Sequence, residues 1–494
     1  MPALTLTNLN IVCAVLGGFI TIFGLISYLL KEHFYLSEAL TSTLTDIIFS
    51  PHATNWIRPS QLVGRDSDPE TPEQVTLYFS RLVLGVQLVL AGVQPPSPGM
   101  CVMWMIMSLL VWGLTPHCEV LQALAVGACM TLTDPVLSNS TVKGKFADKN
   151  IIVRLQKVVI ADSGANDGLG YPFLFLALYL IRGRGMGVWF YETWAYEILM
   201  SVAYGAVVGW LAKELLHWAE ERKIVDRVSF LVFAITLALF ITGTCGLLST
   251  DAVLACFIAG NVSTWDDWFM VETEDDSFQP TIDMILNVAV FMWIGATCPW
   301  HKFAHNEVIG IGRLTGLGIC VLLLRRLPFI LLLRRWIDQI GSWKEACYMG
   351  FFGPAGISAV FYLFIAREFL REEKPHKHSE DTLAKMLEVE VWFLIICSIF
   401  VHRLAVPLTK LGVALPRNLS RAVGENLSTS VDERRGVDGL RGEEHEVIIF
   451  TISSPSSPLP PSPTSPYSTT HSPLQEYAPS TLPDRHARGP HHWD

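Results

Sequence analysis

Apolar runs of helix length follow one another down the chain, near 10–30, 34–50, 75–93, 100–114, 118–137, 151–181, 196–216, 228–247, 249–263, 281–300, 308–333, 343–366 and 386–410. Lipid offers backbone amides no partner, so a run of about 20 apolar residues closes its hydrogen bonds within itself as a helix. The pattern predicts an all-α polytopic membrane protein with 12–13 transmembrane helices, the runs at 34–50 and 249–263 being short enough to be re-entrant or interfacial. Past about residue 414 the pattern stops. Residues 417–445 are polar and charged, and 453–482 are rich in Ser and Pro. Such composition cannot bury enough apolar area to offset chain entropy. Residues 1–413 therefore read as the transmembrane domain and 414–494 as a disordered tail.

Composition agrees. Of 494 residues, 51% are hydrophobic and only 17% charged, against about 25% charged in soluble domains, and the mean hydropathy is +0.38. The net charge of −10 says little, because many acids sit around 266–276 and in the tail; nothing suggests a nucleic-acid partner. Ten cysteines lie mostly in apolar segments with no CxxC pair, and read as small buried hydrophobes. The start, Met1-Pro2-Ala3-Leu4-Thr5, lacks a basic region and a cleavage site, so 11–30 reads as a first membrane helix. Positive residues orient the spans. Lys143, Lys145, Lys149, Arg154 and Lys157, then Arg222, Lys223 and Arg227, then Arg334 and Arg335 all fall on one side if every span crosses. That side is cytosolic, together with the C-terminus. The mixed-charge loop at 367–379 runs against the trend.

Two polar interruptions carry the chemistry. In Thr131-Leu132-Thr133-Asp134-Pro135, Pro135 has no N–H to give to the Thr131 carbonyl and biases Asp134 away from helical geometry. The helix should break there, with carbonyls near Thr131–Thr133 beside the Asp134 carboxylate. Hard cations take oxygen ligands, and broken midplane helices supply them in transporters. A kink alone explains Pro135 but not the adjacent acid. In Asp162-Ser163-Gly164-Ala165-Asn166-Asp167-Gly168, the pairs 162/166 and 163/167 lie side by side on one helix face. Gly164 and Gly168 allow a neighbouring helix to approach. The alternative is that these groups only bond one another; an intramembrane acid is functional by default.

A second broken element stands at Gly350-Phe351-Phe352-Gly353-Pro354-Ala355-Gly356-Ile357-Ser358. Two Gly/Pro-interrupted spans in separate halves predict an inverted-repeat transporter fold with two broken crossing helices. Between them, Leu324-Arg325-Arg326-Leu327-Pro328 puts two cations in an apolar run. One is expected to snorkel to the cytosolic boundary; the other, Arg326 by preference, needs an acid such as Asp162. Asp251 is either a helix N-cap or a further functional acid.

At these residues the chain resembles a known family. Thr133–Leu137, Lys143–Ala147, Ser163–Gly168, Gly350–Gly356, Trp265–Phe269 and Val401–Pro407 are similar to the fungal plasma-membrane Na⁺(K⁺)/H⁺ antiporters of the monovalent cation:proton antiporter-1 superfamily, over roughly residues 15–415. The resemblance implies a homodimer with a mobile core domain and a dimerisation domain. It implies a cation site made by Asp167, Ser163, Asp134 and the Thr133 carbonyl, with Asn166 and Asp162 meeting an arginine. It implies a transporter and no enzyme, with no cofactor, whose cargo is Na⁺, Li⁺, K⁺ and H⁺. Four departures stand out. Leu132 replaces a usual Pro, Asp162 a usual Glu, and Asp251-Ala252 a usual Asp pair. A short amphipathic stretch usual before Met100 is also missing, leaving a helix at 100–114 of only ~22 Å against a ~30 Å hydrocarbon core.

The expected mechanism is competition. Asp167 holds either a proton or an alkali cation, which gives obligatory exchange by alternating access. Because Asn166 stands where a second acid could, 1:1 exchange is favoured. The expected role is alkali-cation and pH homeostasis at the plasma membrane, with regulatory proteins on the tail. The alternatives are an intracellular K⁺/H⁺ exchanger, an inactive or truncated paralogue acting as a sensor, a cation channel, or a membrane-embedded hydrolase.

Overall fold

The computed structural model describes residues 14, 17–22, 38–50, 53–54, 71–91, 99–142, 152–266, 268, 278–337, 340–372 and 378–405. Most of the first expected span, Lys143, Lys145 and Lys149, residues 92–98 and the tail from 414 lie outside them. Among the described residues the regular structure is helical, without strands. The helices are α1 Glu38–Phe49, α2 Thr71–Ala91, α3 Met100–Leu114, α4 Val120–Thr131, α5 Pro135–Val142, α6 Val153–Gly168, α7 Gly170–Arg182 and α8 Met186–Glu221. They continue with α9 Arg227–Leu248, α10 Ala252–Ser263, α11 Phe278–Thr297, α12 Ile311–Leu324, α13 Leu327–Leu333, α14 Trp343–Phe351, α15 Ile357–Glu372 and α16 over 378–405. By length and apolar composition alone, four stretches can cross a membrane: Val120–Asn139, Met186–Glu221, Val228–Leu248 and Ile311–Trp336. The other rods are shorter or interrupted by polar groups.

Three features differ from the reading of the sequence. The run at 151–181 is not one rod. It turns at Leu169 (φ −104°, ψ 10°), where Pro172 cannot donate to the Gly168 carbonyl. The run at 308–333 breaks likewise at Arg325-Arg326, because Pro328 has no N–H for the Leu324 carbonyl. And α8 begins at Met186, well ahead of the expected 196, as one helix whose second segment, Phe190–Ile198, is wound as a π-helix. Its Glu192 and Glu197 hid it from a reading by hydropathy. The second break falls where expected, with extended chain between α14 and α15.

Two helix groups build the molecule. In one, α3, α4, α7, α12, α15 and α16 pack around the broken elements; in the other, α2, α8, α9 and α10 pack together. Small residues set the second group's spacing. A methyl group on Gly205 of α8 would lie 2.5 Å from the Ala255 carbonyl of α10, and one on Gly209 would lie 2.6 Å from that of Ala259, so the two backbones touch. The groups meet where α2 packs on α15, and α6 packs on the second group, Gly164 facing Leu88 and Phe257 and Gly168 facing Leu254. That is the close approach the Gly-xxx-Gly spacing foretold. Outward faces of α8 and α9 carry Leu199, Val207, Leu215, Phe240 and Leu247, whereas the interior holds the charged side chains. Polar inside and apolar outside is the order a lipid solvent imposes.

Candidate functional site

The site is built at the crossing of α4–α5 with α14–α15. α4 stops at Thr131, Leu132 is extended (φ −62°, ψ 141°), and Pro135 starts α5. The two linkers touch through their main chains, the Asp134 N–H donating to Pro354 O at 2.8 Å. The Asp134 carboxylate then caps two helices at once. Oδ1 accepts from Val136 N (2.8 Å) and Leu137 N (3.4 Å) of α5, and Oδ2 accepts from Ile357 N (2.6 Å) at the start of α15. Two positive helix ends thus share one negative charge. Glycine is required at 356 because any Cβ there would collide with Asp134 Oδ2. At 353 a Cβ would sit 2.9 Å from Arg326 Nη1 and 3.2 Å from Thr133 Cγ2.

The negative ends of α4 and α14 meet a cation and a histidine. Arg325 Nη1 donates to Met130 O at 2.9 Å, and His402 Nε2 lies 2.9 Å from Phe351 O. Arg403 Nη2 donates to Leu137 O at 3.0 Å, and Ser398 Oγ accepts from Ala355 N at 2.8 Å. Arg325 therefore does not snorkel. It is 6% exposed and spends its charge on an orphaned carbonyl within the crossing.

On α6 the expected face is present. Asp162 pairs with Arg326, Oδ2 to Nη2 2.6 Å, both buried, as expected. Asn166 does not join them: its amide donates to Thr133 Oγ1 at 3.0 Å, tying α6 to the first linker. Ser163 Oγ lies 2.7 Å from Ser138 Oγ and 2.9 Å from Val159 O, tying α6 to α5. Asp167 stands apart. It is fully buried, and neither carboxylate oxygen makes a hydrogen bond of ordinary geometry. Ser358 Oγ, itself unbonded, is close enough to interact with it, and the charged groups that face it are Asp134 and Asp251. The Tyr362 hydroxyl donates to its backbone carbonyl at 2.8 Å.

Asp251 is an N-cap, its Oδ1 accepting from Val253 N (2.9 Å) and Leu254 N (3.2 Å), while Oδ2 has no partner. No role follows from the sequence for Ser138, Ser358, Tyr362, Ser398, His402 and Arg403. Ser358 carried a signal as the polar residue just past the second break, and His402 and Arg403 lie in the stretch Val401–Pro407 that carries the family resemblance.

Chemically, the crossing holds one carboxylate that accepts three backbone N–H bonds and one that makes no hydrogen bond of ordinary geometry and pairs with no cation. A buried, unpaired carboxylate is tolerated only when a proton or a cation neutralises it.

Comparison with known proteins agrees with this architecture. Residues 18–410 match the profile of the sodium/hydrogen exchanger transmembrane family. Na(+)/H(+) antiporter 2 of Zygosaccharomyces rouxii is 34% identical over 83% of this chain and 54% of its own length. The Na(+)/H(+) antiporter of Saccharomyces cerevisiae is 34% identical over 83% of this chain and 44% of its own. The chain thus spans about half the length of these two relatives, but 90% of a Schizosaccharomyces pombe Na(+)/H(+) antiporter at 28% identity. The sodium proton antiporter MjNhaP1 of Methanocaldococcus jannaschii superposes with a TM-score of 0.53 at 15% identity, covering 78% of this chain and 97% of that one. This likeness shows the inverted-repeat antiporter fold. The relatives' names are those of transporters rather than enzymes. By the profile match over most of its length, the chain belongs to the transmembrane sodium/hydrogen exchanger family.

Proposed function

We propose that this chain exchanges Na⁺ for H⁺ across its membrane by alternating access, with proton and cation competing for the Asp167 carboxylate. One observation carries the reading: Asp167 is the fully buried acid of the crossing whose two oxygens accept no hydrogen bond and pair with no cation. A proton or a monovalent cation each neutralises it, and the two exclude one another. Asp134 and Asp251 face the same space, so its field favours a positive guest. Ser358 is the hydroxyl close enough to interact with it, Ser163 lies one turn away on the same face of α6, and Li⁺ and K⁺ are further cargo by the same oxygen chemistry.

Other parts of the crossing are scaffold. Asp134 and Arg325 hold the broken ends, Arg326 holds Asp162, and Asn166 holds Thr133, so the carboxylate is presented on a rigid frame. Exchange at one carboxylate without a second titrating partner at 166 supports one cation against one proton. The same reading extends to a homodimer at the plasma membrane with a cytosolic C-terminus.

The test is proton flux in vesicles containing the full chain on adding Na⁺, Li⁺ or K⁺. Lowering the pH should raise the apparent KM for Na⁺ and leave the maximal rate unchanged, as competition demands. Asp167→Asn should abolish flux. Flux independent of protons would indicate a channel, and its absence in folded wild-type protein would favour the sensor reading.

A further inference from the structure

Away from the crossing, the widened turn of α8 presents an acid that the mechanism above does not use. Glu197 ends the π-helical stretch Phe190–Ile198. Its neighbours Tyr196 and Leu199 are exposed, but Glu197 is half-buried. Single π turns inside α-helices frequently mark functional positions, because they redirect a side chain. Here the redirected group meets α7: the Tyr171 hydroxyl lies 3.4 Å from Glu197 Oε1. Tyr171 is held in turn by stacking on Phe175, ring centroids 4.0 Å apart.

Charge is unbalanced around this pair. The Tyr196 hydroxyl donates to Leu248 O at 2.8 Å and Gly205 abuts Ala255, so α8 runs along the start of α10. Asp251 there and Arg81 of α2 are charged groups that face Glu197, and Asp251 also faces Asp167. Arg81 is within electrostatic reach of both Glu197 and Asp251, without an ion pair to either among the described residues. Glu192, one turn earlier, is already engaged by the Tyr179 hydroxyl at 2.7 Å and by Arg184 at 3.7 Å. A second observation points to a guest: Asp251 is 7% exposed, and its Oδ2 has no hydrogen-bond partner. Amides hold the other oxygen, so the carboxylate cannot turn away. A fixed, buried, half-satisfied carboxylate beside a second acid is an oxygen-lined place for a monovalent cation.

We propose that Glu197 is a further cation-binding residue of the exchanger, forming with Asp251 an outer pair that receives an alkali cation between the 183–185 turn and Asp167. The acids then form a ladder. Glu192 and Glu197 are separated by ~7 Å of helix rise, and Asp251 bridges onward to Asp167. This inference rests on the exchange reading. Tyr171 positions Glu197 and belongs to the helix that carries Asp167's kink, so movement of α7 against α8 would open or close the pair.

The experiment is Na⁺-driven proton flux in vesicles, comparing wild type with Glu197→Gln, Arg81→Gln and Tyr171→Phe, each with its melting temperature. Glutamine keeps an acceptor for Tyr171 and removes only the charge. Glu197→Gln should raise the KM for Na⁺ roughly three- to tenfold with the maximal rate within about twofold, the size expected for one partly screened charge. Arg81→Gln should move KM the opposite way, and Tyr171→Phe should change it less than either. If Glu197→Gln leaves KM unchanged, or if Arg81→Gln raises it, the proposal is overturned and Glu197 only fastens α8 to α7. If Glu197→Gln fails to fold, the sign of the Arg81→Gln effect decides. Wild-type protein without flux would instead overturn the exchange reading itself.

Discussion

Two buried aspartates lie within the same crossing, and they live in opposite circumstances. Asp134 accepts three backbone N–H bonds from the starts of two helices, and its own N–H is bonded to Pro354. Asp167, on the neighbouring α6, makes no hydrogen bond of ordinary geometry through either oxygen and has only the Ser358 hydroxyl close enough to interact. A carboxylate offers about four acceptor sites, so Asp134 is nearly full and Asp167 is wholly available. The difference teaches how an ion site can be both rigid and exchangeable. On the exchange proposed above, the charge that is already satisfied would hold the frame, and the charge that is not would carry the cargo.

The sharpest way to break this comparison is to neutralise the available acid. Asp167→Asn should reduce exchange at least about 100-fold, since at saturating cation no alternative carboxylate replaces the exchanging charge. Its melting temperature should hold or rise, because an uncompensated buried charge has been removed. A fall in melting temperature comparable to that of a scaffold variant would mean that Asp167 is structural.

Next in size is the ion pair of Arg326 with Asp162, both nearly fully buried and 2.6 Å apart. Removing one partner leaves a buried charge alone, which destabilises by about 3–5 kcal/mol. Arg326→Gln should therefore lower the denaturation midpoint far more than the double variant with Asp162→Asn does. Equal losses in the single and double variants would show that the two charges do not depend on each other.

Asp134→Asn comes third. The amide can still accept from Val136 or Ile357 through its one oxygen, but its NH₂ group must then face an N–H. One unsatisfied buried donor corresponds to about 1–3 kcal/mol, read as a lower midpoint in chemical denaturation of the purified chain. Gly356→Ala should mimic it by displacing the same carboxylate. An Asp134→Asn protein as stable as wild type would place Asp134 with Asp167 among the exchanging groups.

How far the sequence alone leads depends on what sets each feature. The breaks at Pro135 and at Gly353-Pro354 could be read directly, because proline and glycine act on their own backbone. So could the shared face of Asp162, Ser163, Asn166 and Asp167, which needs only helical period. The partners could not. Arg325 reaches the carbonyl of Met130, 195 positions earlier, and its hydropathy looks the same whether it snorkels or caps. His402 and Arg403 sit in an apolar run and meet carbonyls from α14 and α5, which lie far off in sequence. The turns at Leu169 and Arg325-Arg326 follow from Pro172 and Pro328, but hydropathy averages them into single spans. Glu192 and Glu197 broke the apolar pattern and so disguised the first turns of α8 as a loop.

The smallest expected effect tests the boundary between the two aspartates' roles. The Tyr362 hydroxyl donates to the backbone carbonyl of Asp167, not to its carboxylate. It therefore satisfies an acceptor left at the kink between α6 and α7 without touching the exchanging group. Tyr362→Phe removes this bond but keeps the ring, which is buried between Leu132 and the core. The expected loss is about 1 kcal/mol, with exchange rate and cation KM within about twofold of wild type, measured as melting temperature and vesicle flux on the same preparation. Loss of exchange on the scale of Asp167→Asn would mean that a group acting only through the backbone controls the carboxylate. The division between a satisfied frame and an exchanging charge would then run through the main chain of α6 rather than between Asp134 and Asp167.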